Sequence, residues 1–509
     1  MRSGCILCSS FDVQYQRISK GCARTQKMSD MKKNYVTFLC ALLFIFACSK
    51  NSGSEGDNGK PVVSTAEQNL QRAMQIADKA VSSYFTGDGM AMARYYNPFT
   101  SARSDEKGSV WMYTSSIEAV NAILHGLKAL KDNGNVTLYN QNFNKYTDLL
   151  YKLYDNADYY LGTYQLTSYT QTKQWTVYGV NRSDSKGFAA VDGIESVYDD
   201  QMWLVRELLE AYKLTGNNVY LNKAEYLTEY VLDGWDCTID ANGNEIGGIT
   251  WGPGYTTKHS CSNGPMVSPL VWLSELYKDK SDVIDHRYID ATDKKTRKVQ
   301  SEYKSDYYLN FAKKVYDWQK KSLLRSDGVY NDMMGGCTPG APETETVDGV
   351  VYRKGITCQD RVGPAITYNS GTMLSGAADL YHVTADMQYL DDAKKLSDAS
   401  FSYFAVLGAT KTGYYTYDIS GFRNWFNGVL MRGYVDVYPS YKNVNGYVNS
   451  FQQNLDYAFS NFLHQDFLPT NLLVGWSLDN SNNKVEAMFT FTFAAEYAVL
   501  AKYELEKDN

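Results

Sequence analysis

From about residue 64 onward, apolar positions recur at intervals of three and four, and the breaks between these runs are rich in Gly, Asn and Asp. That period is helical. It predicts helices over about 66–84, 114–131, 141–161, 199–215, 219–234, 265–278, 303–321, 366–385, 389–405, 424–440, 447–463 and 486–506. Strand-like alternation is confined to short stretches such as 247–251 and 347–353, read as arms within loops. Three long connections, 162–197, 235–264 and 322–365, carry too many Trp and Tyr for linkers. Long loops in compact domains are the usual carriers of function.

An internal echo organises the helices. The segment Glu210–Ala224 matches Asp379–Ala393 at a constant offset of 169, with Tyr212/Tyr381, Thr215/Thr384, Tyr220/Tyr389, Leu221/Leu390 and Ala224/Ala393 identical. Each copy reads as helix, short turn, helix. Twelve helices in six such hairpins, with no polar capping repeat, predict an all-α ring, an (α/α)6 toroid, with an open superhelix as the alternative. In the ring, loops at one end of the inner helices would surround a cleft.

The first residues read differently. Met31 opens MKKNYVTFLCALLFIFACSK, a basic start and an apolar run ending at Cys48, too short to span a membrane comfortably. It resembles a bacterial lipoprotein signal, which would acylate Cys48 and place the body in the cell envelope, on the outer membrane facing the periplasm or the exterior. An ordinary secretory signal is the alternative. Residues 1–30 read as an upstream extension, 49–63 as a polar tether, and 64–509 as one catalytic domain. Of nine cysteines, Cys237, Cys261, Cys337 and Cys358 fall in the body; pairing within sequence neighbours would join Cys237 to Cys261 and Cys337 to Cys358, and four unpaired thiols stay open.

Over 509 residues the net charge is −7, with no basic patch, so nucleic acid is not an expected partner. Five scattered histidines form no paired-ligand motif, and neither a metal nor a cofactor is expected. Chemistry then falls to carboxylates. Asp199 and Asp200 stand where a long aromatic loop becomes a helix, between Tyr198 and Trp203. The helix N-terminus favours one ionised carboxylate, while repulsion and burial favour a proton on its neighbour. Such a pair can divide the labour of glycoside cleavage, although acidic residues also commonly cap helices. The same dipeptide at Asp391–Asp392, flanked by lysines, reads as structural.

Tyr198-Asp199-Asp200, the hairpin LTGNNVYL, the segment GWDCTIDANGNEIGGITWGPGY with Lys258 and Asn263-Gly264, and TYNSGTMLSGAADLYHVTAD occur in an order that resembles glycoside hydrolase family 76. The resemblance implies a retaining endo-α-1,6-mannanase on an (α/α)6 fold, acting as a monomer on α-mannan polysaccharide or oligosaccharides. Asp199 matches the family nucleophile and Asp200 its general acid/base. Tyr198, Trp203, Trp251, Lys258, Asn263, Tyr368 and Asn369 are the implied substrate contacts, with Trp251 a sugar platform or a loop anchor and Asn369 a contact or a helix cap. Ser370 stands where the family usually has glutamine. Phe426-Asn427-Gly428 and Arg432 echo a later motif, the arginine equally suited to a structural ion pair. A mannan-binding lipoprotein without turnover, a transglycosylase, or an epimerase-like enzyme are the competing readings.

Overall fold

The structure, a computed structural model, describes residues 63–337 and 340–507. Cys48, with the signal and nearly all of the tether read around it, lies outside the described residues. Twelve α-helices are present among them: α1 Thr65–Tyr84, α2 Val110–Asp132, α3 Thr137–Ala157, α4 Tyr198–Thr215, α5 Asn218–Asp233, α6 Val267–Leu276, α7 Lys304–Leu323, α8 Thr367–Thr384, α9 Met387–Phe404, α10 Arg423–Val437, α11 Asn445–Phe462 and α12 Ala487–Glu506. Each falls within a few residues of a predicted helix. Short polar side chains fix several starts, satisfying N–H groups that the first turn leaves open. Ser64 accepts from the Glu67 N–H at 3.2 Å, Asn217 from Val219 at 3.0 Å and Asp386 from Gln388 at 2.9 Å.

The even-numbered helices touch in sequence, α2 to α4, α6, α8, α10 and α12, and α12 returns to α2. This inner ring is closed, so the fold is an (α/α)6 toroid and not an open superhelix. Each inner helix carries an outer partner: α3 on α2, α5 on α4, α7 on α6, α9 on α8, α11 on α10, and α1 on α12. The sixth pair is therefore not a hairpin as expected. The described chain opens on an outer helix, which leaves the last inner helix to be covered by the first. Helix α12 is buried almost all round, and Leu70, Ala73, Ile76, Ala77 and Ala80 of α1 supply its outer cover. Between α8 and α10 the approach is close enough to need glycine: a Cβ on Gly371 would lie 2.5 Å from the Val429 carbonyl oxygen.

Long connections precede the inner helices, so their loops collect around the N-terminal ends of the ring. The expected arm near 347–353 is a hairpin, Thr344–Val347 with Val350–Arg353, turned through Asp348 and Gly349 at positive φ. The stretch 247–251 forms only isolated bridges, Trp235 to Ile249 and Thr250 to Lys258. Two seven-residue hairpins were not anticipated: Leu161–Thr167 with Thr172–Tyr178, and Val283–Ile289 with Arg297–Tyr303. Both show the period-two alternation that marks a strand, TKQWTVY burying Trp175 and Val177.

Cys337 and Cys358 form a disulfide, as local pairing suggested. The second pair does not form. Cys237 and Cys261 are both free thiols, Cys237 buried in the core and Cys261 facing Asp199. No helix among the described residues is long and apolar enough to cross a membrane.

Candidate active site

Helix α4 begins at Tyr198 with no side-chain cap, and Asp199 and Asp200 occupy its first turn. The loop 235–264 folds over this end. The Tyr198 N–H donates to the Trp251 carbonyl at 2.8 Å, fixing the loop to the helix start. In return the Trp251 indole Nε1–H donates to Asp199 Oδ2 at 3.3 Å, while the Asp200 backbone N–H donates to Asp199 Oδ1 at 3.1 Å. The Cys261 thiol lies close enough to Asp199 to bear on its charge.

These donors separate the two acids. Burial pushes Asp199 up to about 6, opposed by the neighbouring thiol and by its indole and backbone hydrogen bonds. Asp200 is more enclosed, 8% exposed, and burial and then the charge on Asp199 raise it well above the usual carboxylate range. With no donor to stabilise its anion among the described residues, Asp200 is the member of the pair that keeps a proton. One carboxylate and one carboxylic acid side by side can perform nucleophilic attack and proton donation.

The other expected site residues divide. Tyr368 and Asn369 lie in the first turn of α8. The Trp203 Nε1–H donates to the Tyr368 hydroxyl at 2.7 Å, and the Trp203 ring meets Trp425 edge-on at 4.7 Å. Trp203 is buried one turn beyond the aspartates on α4. Asn369 Nδ2 donates to the Asn331 carbonyl at 3.4 Å, its Oδ1 is buried without a hydrogen-bond partner, and it does not cap α8, whose N-cap is Ile366. Trp251 stands beside Asp199 with His259 stacked on its face at 5.3 Å and Tyr255 at 4.8 Å.

Tyr198, Lys258 and Asn263, expected as substrate contacts, belong to the scaffold. The Tyr198 ring has no exposed surface and packs on Tyr230 at 5.1 Å in the α4–α5 interior. Lys258 is 2% exposed; its ammonium donates to Asp236 Oδ2 at 2.9 Å and to the Gly247 carbonyl at 2.6 Å. Asn263 is buried and joins two strands of the loop, donating to the carbonyls of Ile249 and His259 and accepting the Ile249 N–H at 2.9 Å. All three hold the loop that carries Trp251. Arg432 pairs with buried Glu118, which also accepts from Trp425 Nε1 at 2.9 Å, so this arginine closes the ring interior.

Two residues at the site were not singled out in the sequence. Asp332, in the loop 322–365, is raised to about 6 by burial, opposed by the neighbouring Asn369. For Cys261 the sequence left open a disulfide with Cys237 or a free thiol, with no place at the site, and it is free. A third group, Arg353, ends the arm: its guanidinium donates to the Tyr255 carbonyl at 2.7 Å and to Thr250 Oγ1 at 3.3 Å, bracing the Trp251 loop from outside. Among the described residues no cluster of His, Cys, Asp or Glu could hold a metal ion.

The sequence model of Glycosyl hydrolase family 76 matches residues 134–284 and 301–443, skipping most of the hairpin Val283–Tyr303. No curated protein matches at a significant level. Among solved structures, a family 76 glycoside hydrolase (mannosidase) of Bacteroides thetaiotaomicron is similar over 86% of this chain and 98% of its own, at 19% identity and a TM-score of 0.62. The GH76A α-1,6-mannanase of Salegentibacter sp. is similar over 86% of this chain and 100% of its own, at 19% identity and a TM-score of 0.55. An inactive variant of that mannanase, two adjacent aspartates replaced by asparagine, has been solved with α-1,6-mannotriose at 18% identity and a TM-score of 0.55, over 86% of this chain and 100% of its own.

Proposed function

The chain belongs to glycosyl hydrolase family 76 and is a glycoside hydrolase, and from that membership we propose that it cleaves α-1,6-mannosidic linkages within mannan with retention of configuration. The observation that carries this reading is the split aspartate pair at the start of α4. Asp199, ionised and held by the Trp251 indole, attacks the anomeric carbon of a mannosyl unit. Asp200, protonated, passes its proton to the departing O6 of the next unit. The resulting glycosyl ester on Asp199 is then hydrolysed by water that gives a proton back to Asp200, restoring both groups. The inactive two-aspartate variant of the Salegentibacter mannanase, solved with α-1,6-mannotriose, supports both the pair and the linkage.

Trp251 is the sugar platform beside the nucleophile, while buried Tyr368 and Asn369 hold Trp203 and the loop 322–365 in place. The enzyme works as a monomer at the cell envelope, anchored through acyl groups on Cys48. Replacing Cys48 with alanine is expected to release it from the membrane fraction; a variant that stays membrane-bound would defeat the anchoring.

The deciding test of function is digestion of unbranched α-1,6-mannan, with products followed by chromatography and NMR. Short oligosaccharides appearing early, with the α-anomer first, are expected. Mannose released alone from chain ends would replace the endo reading with an exo one. Binding of mannan without products would leave a glycan-binding protein in its place.

A further inference from the structure

Two residues beyond Trp251 the same turn enters the wall of a second concavity. This pocket, of about 250 Å³, is walled by residues 164–167 of the hairpin Leu161–Tyr178, by 192–193 and 253–254, and by 342–344 and Arg353 of the arm. Its walls are fixed without a ligand. The turn is pressed onto the loop that leads into α4: a Cβ on Gly254 would lie 2.4 Å from the Gly193 carbonyl oxygen, so only glycine fits. The arm is tied down by the Arg353 N–H, which donates to the Ser168 carbonyl at 2.8 Å, and the Cys337–Cys358 disulfide closes its base. The Arg353 guanidinium, bonded to Thr250 Oγ1 and to the Tyr255 carbonyl, grips the turn on both sides of Trp251. Sugar platform and pocket thus share one braced turn.

We propose that this pocket is a second saccharide site, taking one terminal, uncharged sugar unit of the polysaccharide whose main chain lies on Trp251. The inference rests on the mannanase reading of the Asp199 site. The lining decides the class of ligand. Arg353 is 3% exposed and committed to the turn, so the exposed charges left are the carboxylates of Asp192 and Glu343, the second shared with Lys354 at 2.8 Å. Carboxylates accept from hydroxyl groups and repel anions, which favours a polyol over a phosphate or a uronate. Tyr164, whose hydroxyl is taken by Tyr230 at 2.8 Å, and the prolines 253 and 342 add apolar surface for the C–H face of a ring. The volume falls below the roughly 300–1,000 Å³ of pockets that take drug-sized ligands, which suits one ring and not a chain passing through. That ring is the end of the main chain or the tip of a side branch, and the chemistry that would recognise it is the same.

Calorimetry on the full chain tests this, with Asp199→Asn present throughout to stop cleavage. The probes are an unbranched α-1,6-linked mannohexaose and the same hexaose bearing one mannosyl branch. Each is titrated into Asp199→Asn alone and into Asp199→Asn with Asp192→Ala and Glu343→Ala added. Asp192 and Glu343 are exposed, so their loss leaves the fold intact. Removing both acceptors is expected to weaken binding roughly tenfold.

Weakening on the unbranched hexaose assigns the pocket to the main-chain end, and weakening confined to the branched probe assigns it to a branch tip. Equal affinities of the two proteins for both probes overturn the pocket and leave the mannanase reading standing. Where neither protein binds either probe, the pocket is overturned too, and digestion of mannan by the wild type decides separately whether the mannanase reading survives.

Discussion

Helix pairs α4–α5 and α8–α9 are two copies of one design, and each contains an Asp-Asp dipeptide. In both, a threonine closes the inner helix with its hydroxyl on a carbonyl four residues back, Thr215 to Ala211 at 2.7 Å and Thr384 to Leu380 at 2.6 Å. In both, Asn217 or Asp386 then caps the outer helix. The dipeptides differ in where they fall. Asp199–Asp200 open an inner helix under the loop 235–264, whereas Asp391–Asp392 lie in the first turns of outer helix α9, with Asp391 exposed and Asp392 bound to Lys320 and to the Tyr316 hydroxyl at 3.1 Å. Two adjacent carboxylates become reactive when the fold buries them together without a cation; given a lysine and solvent, the same pair is part of a surface.

The largest expected effect breaks the comparison at this point. Asp199→Asn and Asp200→Asn each lower kcat by roughly 10³-fold or more, while Asp391→Asn and Asp392→Asn leave turnover within about twofold. Comparable activity in either member of the first pair would remove it from catalysis. The pH dependence carries a second sign. Asp199 is raised from 3.8 to about 6, so the native state favours its protonated form. The stability this confers is complete below the unfolded value near 3.8 and is lost as pH rises through about 6. Activity runs the opposite way, falling as pH drops through about 6. Asp199→Asn, neutral at every pH, therefore melts above the wild type at pH 7.5 and level with it at pH 4; equal melting temperatures at both pH values would contradict the burial of charge.

The next comparison is between two lysine–aspartate pairs. Lys258–Asp236 has side chains 2% and 0% exposed; Lys320–Asp392 has 29% and 17%. Removing one partner of a buried pair strands the other charge, so Lys258→Met is expected to cost about 3 to 5 kcal/mol. The half-exposed pair is hydrated and screened, and Lys320→Met costs under about 1 kcal/mol. Denaturant unfolding measures both. A small cost at Lys258 would reopen its expected role as a substrate contact.

How far the sequence carried follows from the range of each interaction. Helix positions and the aspartate pair are local patterns, and both were legible because periodicity and a helix start need only neighbouring residues. Lys258 and Asn263 were located in the right loop with the wrong task, because their partners, Asp236 and the Ile249 and His259 carbonyls, depend on how that loop closes on itself. Asp332 and Cys261 reach the site from elements far from Asp199 in sequence, and no spacing announced them. The hairpins at 161–178 and 283–303 did carry a signal, strand alternation, that the prevailing helical period obscured.

The smallest expected effect lies where the two copies differ by one methyl group. Both inner helices end on a left-handed residue, Gly216 at φ +67° and Ala385 at φ +55°. A Cβ at Gly216 would meet nothing within 4 Å, so packing plays no part there and only backbone preference is at stake. Glycine adopts this conformation freely, whereas an L-residue with a Cβ is strained in it. Gly216→Ala should therefore destabilise by about 1 kcal/mol and Ala385→Gly should stabilise by a similar amount, less the greater freedom glycine gives the unfolded chain. Opposite shifts of the unfolding midpoint at constant m-value are expected, and the double exchange should nearly cancel, the sites being distant enough to act independently. Shifts of the same sign would mean that Ala385 gains from a contact its counterpart lacks, and the two copies would then differ in packing as well as in chemistry.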